Sequence, residues 1–392
     1  MRQVSVAGMA LLGAGIIAIT YGLARFVLGL FMPIIREDLG LDTTAAGFIG
    51  ALPFLSFIAA VVVGPRLTES LGPRNAGTLT VMLAISGLLL IAGAPGSVVL
   101  GLAVILCGMS TGFSSPVLAD AVHSGVTPTF RGRVNAVHNA GTSIGVGLAM
   151  PISAWLLGNW RGAYVSFALL AVFAAMAAYY WLPPTTATAA RAVGHSPHTR
   201  VSTEQWRAIA WLSMLAVGMG MVSSIYWVFA PDMIVRHGGL SAAAGGWMWL
   251  GIGLAGLLGS AAGDLMDRIG TARTHTLAVT MLAGALALLA WLPNAYASIL
   301  ISAAAFGMAY MTLTGLYLVQ GTRILGNRPA LGPVLPFLAV AVGQAIGSPL
   351  SGWMIDANGY PLAFTGFALV GVGVAAAGSG GRVIGPVPAQ GP

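Results

Sequence analysis

The stretch Gly263-Asp264-Leu265-Met266-Asp267-Arg268-Ile269-Gly270, followed by Arg273, occurs twice in this chain. Its worn copy, Leu67-Thr68-Glu69-Ser70-Leu71-Gly72-Pro73-Arg74, stands 198 residues earlier. The same shift lays Pro33 on Pro231, Gly40 on Gly238, Gly47 on Gly245 and Glu69 on Asp267. Far downstream it still lays Gly145 on Gly343, Pro151 on Pro349 and Trp155 on Trp353. Glycine, proline and tryptophan matching at one constant offset over so long a span means two copies of one unit.

Both copies are apolar. Hydrophobic residues make up 57% of the chain and charged residues 7%, against roughly 25% charged in soluble proteins. Lipid must therefore cover a surface that water cannot. A spanning helix needs about 20 apolar residues. Twelve stretches qualify: 9–34, 44–65, 76–94, 98–121, 134–157, 162–182, 207–231, 243–263, 275–292, 296–320, 331–355 and 361–380. The expected fold is all-α, with twelve transmembrane helices in two six-helix halves, an internal repeat of the kind that builds secondary transporters. The expected units are residues 1–182, a linker over 183–206, residues 207–381 and a disordered tail over 382–392. The first stretch is too long for a signal-peptide core and lacks a small-residue cleavage site, so it reads as retained. Ser202-Thr203-Glu204-Gln205 resembles a capping box opening the seventh span. The single cysteine, Cys107, permits no internal disulfide and reads as a small core residue.

The net charge of +7 comes from 17 basic residues, all arginine. Their distribution argues against nucleic acid, because no basic patch is long enough to track phosphates. With the N-terminus inside, 13 of the 17 lie at inner ends and loops: Arg2, Arg66, Arg74, Arg131, Arg133, Arg191, Arg200, Arg207, Arg268, Arg273, Arg323, Arg328 and Arg382. Arg36, Arg161 and Arg236 fall outside, and Arg25 falls within a span. That bias places both termini in the cytoplasm. Glu37, Asp38, Asp42, Asp232 and Asp356 gather on the other side. Tyr179, Tyr180, Trp181, Trp160, Trp291 and Tyr360 stand at span ends and read as an interfacial belt.

The Gly263–Gly270 stretch resembles the G-x-x-x-D-R-x-G loop of the major facilitator superfamily, and the twelve spans in two halves agree with that family over essentially the whole chain. Tyr21-Gly22-Leu23-Ala24-Arg25-Phe26, Met32-Pro33 and Asp38-Leu39-Gly40 further resemble the YbfB/YjiJ-like branch of bacterial permeases, which lends no defined substrate. The resemblance implies a multi-pass protein of the bacterial inner membrane. It also implies that Asp267 and Arg268, with Arg273, lock the cytoplasmic side when the transporter faces outward. Glu69 and Arg74 would do so more weakly, because Ser70 stands where the arginine belongs. A solvated loop that only sets topology is the plainer alternative.

The family further implies that the first, fourth, seventh and tenth spans line a central cavity. Their polar residues are then the candidate site: Tyr21 and Arg25, four apart and so on one helical face, Ser114, Tyr226 and Trp227, and Tyr310, Tyr317 and Gln320. Packing alone also accounts for the aromatics. Arg25 is the sharpest of them. A guanidinium within a span should face a cavity or a partner, and no acid stands at its depth. It is either an anion site taking a carboxylate bidentately, a gate with Asp232, or a donor to backbone carbonyls. Asp120, with His123 on the same face and His138 opening the fifth span, is the candidate for proton coupling. An inner-gate cluster with Arg131 or Arg133 is the alternative. In the fifth span Met150 precedes Pro151 and Ile152-Ser153-Ala154 follow, a departure from the glycine signature of drug–proton antiporters.

These readings converge on a monomeric carrier of a small organic solute, first of all an anion, coupled to protons or to the solute's own gradient. An efflux pump for amphipathic compounds is the runner-up. Beyond substrate, lipid and protons no partner is implied. The chain shows no nucleotide loop, metal-ligand spacing or nucleophile–base pair, so no cofactor, metal or enzymatic reaction is expected.

Overall fold

The computed structural model describes residues 5–156, 158–184, 201–326, 328 and 331–380. Most of the predicted linker, the predicted tail, and Arg2, Arg191, Arg200 and Arg382 lie outside them. The described chain is helical, and ten of its helices are long and apolar enough to cross a membrane. Their outer coat is apolar, with Leu169, Phe173, Leu254 and Trp291 all more than half exposed. Such a coat suits lipid and not water.

The first helical path runs through α1 (Val6–Ile17), a π-helical segment (Ala18–Phe26) and α2 (Leu28–Leu39). Ser5 caps its start, accepting from the Gly8 amide at 3.1 Å. Next come α3 (Thr43–Ala92), α4 (Ser97–Gly125), α5 (Pro128–Trp155) and α6 (Trp160–Trp181). The second half holds α7 (Thr203–Arg236), α8 (Ala242–Gly259), α9 (Ala262–Ile269), α10 (Thr271–Trp291), α11 (Tyr296–Ile324), α12 (Leu331–Asn358) and α13 (Tyr360–Ser379). The predicted capping box is present: Gln205 N donates to Ser202 Oγ, and the Gln205 side chain accepts from Ser202 N.

Two predicted spans share α3. Its 50 residues are broken at Gly72, whose φ of 73° and ψ of 162° are not helical. The predicted fifth span lies in α5, but that helix starts at Pro128, so His138 is well inside it and does not open it. The signature stretch is also not a loop. After α8 stops at Gly259 it forms the eight-residue α9, with Asp264 in the first turn and Arg268 in the last, each where the helix dipole favours its charge. Gly270, at φ 86° and ψ 153°, ends it.

The backbone repeats as the sequence does. Gly72 and Gly270, equivalent under the 198-residue shift, share that left-handed φ. The other positive-φ glycines recur near but not at the shifted positions: Gly239 is one residue past the counterpart of Gly40, and Gly359 three past that of Gly158. Only glycine enters this region without strain, so the repeat has kept its residue where the backbone must reverse.

The two halves meet along three seams: α2 on α7, α3 on α12 and α5 on α8. Gly29 of α2 lies so close to α7 that a Cβ there would stand 1.7 Å from the Trp227 carbonyl oxygen. Gly29 and Trp227 are themselves equivalents under the shift. A position that touches its own counterpart lies on the axis relating the two copies. The pseudo-symmetry axis therefore passes between these residues.

Candidate functional site

Arg25 lies one turn before Gly29 and so close to that axis. It is 6% exposed. Its guanidinium carbon stands 4.5 Å from the ring centre of Phe57, 4.6 Å from Phe54, 5.0 Å from Phe26 and 5.7 Å from Tyr21. These rings hold the cation by their quadrupoles but offer it no acceptor. Its Nη2 donates to Gln344 Oε1 at 3.2 Å, and its Nε has no partner. Among the described residues Arg25 forms no ion pair.

The second half supplies the facing wall. The Gln344 amide donates to Tyr310 Oη at 3.2 Å and to Ser223 Oγ at 3.4 Å. Trp227 stacks on Phe26 across the seam at 4.2 Å and meets Tyr310 edge-on at 5.2 Å. The Trp227 Nε1–H approaches the Tyr310 hydroxyl without closing a hydrogen bond. A cavity of about 10 Å³ lies against Arg25, Phe54 and Trp227, the size of one water molecule. Arg25 Nε, on a residue lining this small space, is thus a buried N–H donor without an acceptor. Burying such a donor without an acceptor is unfavourable, so the arrangement suits an arriving acceptor. A larger groove, about 380 Å³, lies between α3 and α4. Leu52, Leu55, Val63 and Phe113 line it, and its Ser56 hydroxyl donates to the Pro53 carbonyl at 3.3 Å.

The structure brings Tyr21, Arg25, Trp227 and Tyr310 together and separates the other candidates from them. Tyr21 and Arg25 remain neighbours, but the helix carrying them is π and not α. Four residues fall short of a turn there, so the tips diverge: Tyr21 Oη bonds Ser115 Oγ at 2.7 Å while Arg25 reaches Gln344. Ser114 lies in the seam between the first helical path and α4, where Thr20 donates to it at 3.4 Å. Tyr226 is fully buried within the second half, bonded to Ser302 at 3.0 Å and stacked on Phe306 at 3.8 Å. Tyr317 shares a 3.1 Å hydrogen bond with His275. Seven and ten residues beyond Tyr310, Tyr317 and the buried Gln320 lie about 10 and 15 Å farther along α11.

Asp232 does not meet Arg25. Its buried carboxylate accepts from Arg36 Nη1, from Arg236 Nε at 3.0 Å and from Tyr360 Oη. Arg36 also donates to Tyr360 Oη at 3.0 Å. Nearby, the Asp356 carboxylate accepts from the Thr43 and Thr44 hydroxyls and from Thr44 N, the last at 2.9 Å. Among the predicted outer charges, Arg36, Asp232, Arg236 and Asp356 therefore tie the halves together, while Asp38 pairs with Arg161 and Asp42 caps α3 within the first half. Tyr360 belongs to this cluster and Trp160 is buried, so neither is a belt residue. Tyr179, Tyr180, Trp181 and Trp291 are exposed as expected.

At the opposite end Asp267 pairs with Arg323 at 2.9 Å, both exposed. Arg268, Arg273 and Glu69 are exposed, and Arg74 Nε donates to the Leu182 carbonyl at 3.0 Å, closing the end of α6. Asp120 is half-buried; His123 and Glu69 are the charged groups that act on it. Arg131 donates to the His123 and Val126 carbonyls rather than to Asp120. His138, buried, donates from Nε2 to the Met9 carbonyl at 3.1 Å and so fastens α5 to α1.

Sequence reasoning missed Gln344, Phe54 and Phe57, which stand on spans outside the assumed lining. A signal for Gln344 was present: it is the one amide or charged side chain between Arg328 and Asp356.

The sequence model of the Major Facilitator Superfamily matches residues 14–330. The chain belongs to the major facilitator superfamily. It is 24% identical over 388 residues to the hexuronate transporter of Bacillus subtilis (strain 168), covering 90% of this chain and 88% of that protein. It is 26% identical over 245 residues to the uncharacterized transporter YycB of the same organism. That match spans 60% of this chain and 58% of YycB, under two thirds of the relative's length. In fold, the nucleoside transporter NupG superposes with a TM-score of 0.76 at 12% identity, covering 94% of this chain and 98% of the other. A bacterial homologue of the lysosomal transporter Spinster gives 0.71 at 14%, covering 95% and 96%. The chain is thus a multi-pass membrane transporter of a small solute.

Proposed function

We propose that this superfamily member carries a small organic anion, a carboxylate in the first instance, across the bacterial inner membrane by alternating access, with both termini in the cytoplasm. In this reading two six-helix halves rock about the axis, and the substrate carboxylate meets Arg25 between them. The observation that carries it is the buried Arg25 guanidinium with no acid beside it. An isolated charge in a low-dielectric setting is strongly disfavoured, and a recurring anion removes the penalty. Trp227 and Tyr310 supply apolar faces and polar tips for the rest of the solute. The likeness to a hexuronate transporter, whose name denotes a carboxylate-bearing sugar, agrees with this chemistry.

Binding of small carboxylates to purified Arg25 variants tests it. Arg25→Lys keeps the charge but loses the planar fork, and should bind at least tenfold more weakly. Arg25→Ala should lose binding while remaining folded. Full affinity in Arg25→Ala overturns the reading. It would leave the aromatic wall of Phe26, Trp227 and Tyr310 as the site of an amphipathic compound, the efflux alternative. For proton coupling we retain Asp120: Asp120→Asn should abolish accumulation against a gradient and spare counterflow. Persisting accumulation would move coupling to His138 or make the protein a uniporter.

A further inference from the structure

Arg25 and Ser223 are equivalent positions under the 198-residue shift. One side chain bonds both: Gln344 accepts from Arg25 at 3.2 Å and donates to Ser223 at 3.4 Å. Its third contact, the hydrogen bond it donates to Tyr310 Oη, is 3.2 Å. All three are longer than the 2.9–3.0 Å typical of such bonds, although Gln344 is fully buried. A single amide thus bridges the two copies at their axis through loose hydrogen bonds, in contact with the one buried cation there. The repeat offers no partner for it, since Val146 stands at the equivalent position of the first copy.

The carboxamide resembles a carboxylate in shape, with one acceptor oxygen in the same plane. We infer that Gln344 is a built-in place-holder for the substrate: its Oε1 occupies Arg25 in the empty transporter, and an arriving carboxylate displaces it. The inference rests on the reading of Arg25 as an anion site, and it assigns the specificity of that site to α12. Exchange then needs no net loss of hydrogen bonds to the guanidinium. The freed amide keeps Tyr310 and Ser223, so its displacement reports occupancy to the second half. It also makes affinity a competition. Only a group that accepts from the guanidinium better than a neutral amide does will enter, which selects carboxylates over their alcohol or amide counterparts.

The test uses the full chain in lipid nanodiscs, probed with acetate, lactate, gluconate and D-glucuronate and with glucose as neutral control, by thermal shift and titration. Gln344→Leu removes the competitor, so carboxylates should bind at least about tenfold more tightly, as for loss of one competing bond to a charged group. Gln344→Glu tethers a carboxylate at Arg25 and should weaken external carboxylates at least a hundredfold. That loss should disappear as a separate effect in the Arg25→Ala background. Unchanged or weaker binding in Gln344→Leu, or wild-type affinity in Gln344→Glu, overturns the place-holder while leaving Arg25 as the anion site. If no carboxylate shifts the wild type and Arg25→Ala changes nothing, the anion site falls and this inference with it. Should Gln344→Leu fail to fold, Gln344→Met carries the same expectation, and the Gln344→Glu comparison decides independently.

Discussion

The Arg36–Asp232 pair and the Asp267–Arg323 pair differ in each property that decides what an ion pair contributes. The first is buried, with side-chain exposures of 9% and 0%, and joins α2 of one half to α7 of the other. Arg236 and Tyr360 saturate the same carboxylate. The second is exposed by 48% and 65% and joins α9 to α11 within one half. The buried cluster fastens the two halves where the sequence predicts the outer side. The exposed pair fastens nothing across the seam. Charges at one end therefore hold a closed interface, while the signature stretch packs on α10 and α11 of its own half.

Asp232→Ala should have the largest effect. It strands Arg36, and breaking a buried pair from one side costs about 3–5 kcal/mol. We expect a marked fall in unfolding midpoint. We also expect at least tenfold faster thiol labelling of a cysteine placed at Thr44 in a Cys107→Ser background. Replacing Arg36 and Asp232 together by leucine should recover most of the stability, because an apolar pair leaves no buried charge. If the double variant is as unstable as the single, the cluster does more than neutralise itself.

Asp356→Asn comes next. It weakens acceptors for Thr43 and Thr44 at the α3–α12 seam and should lose on the order of 1 kcal/mol, with labelling at Thr44 rising less than for Asp232→Ala. Asp267→Asn should leave stability within about 1 kcal/mol, as exposed pairs do. Turnover should fall while equilibrium affinity stays within a few-fold, since a lock biases states without touching ligand. Arg323→Ala should match it. The smallest effect belongs to Glu69→Gln, because Glu69 forms no ion pair among the described residues. A Glu69 variant slower in transport than the Asp267 variant would break the comparison.

The helices were legible because a membrane span demands length and apolarity, which composition displays directly. The repeat was legible because glycines at reversals, such as Gly72 and Gly270, tolerate no substitute. The site was legible only in part. Arg25, Trp227 and Tyr310, which meet in the structure, stand out in the sequence because charge and aromatic rings within a span are conspicuous. Tyr226, Tyr317 and Ser114 share that chemistry but point into their own halves, toward Ser302, His275 and Thr20. An apolar helix surrounded by lipid and protein carries little periodicity to say which face is which. The tip positions of Tyr21 and Arg25 escaped for another reason: α-helical spacing was assumed where the chain winds as a π-helix.

That π-helix gives the first span something the facing α7 lacks. Over Ala18–Phe26 each hydrogen bond closes on the fifth residue back rather than the fourth, so the segment holds slack. The ends are pinned, by the Ser5 cap at one side and the left-handed Gly40 at the other. Slack between fixed ends can travel: as one wide turn tightens and its neighbour widens, the residues passed over swivel about the helix axis while the ends stay still. α7 runs as α-helix from Thr203 to Arg236, its ladder interrupted at Pro231, and has no wide turn to pass along. Of the two helices that cross at the axis, one is a fixed post and the other a swivel, and Arg25 is mounted on the swivel.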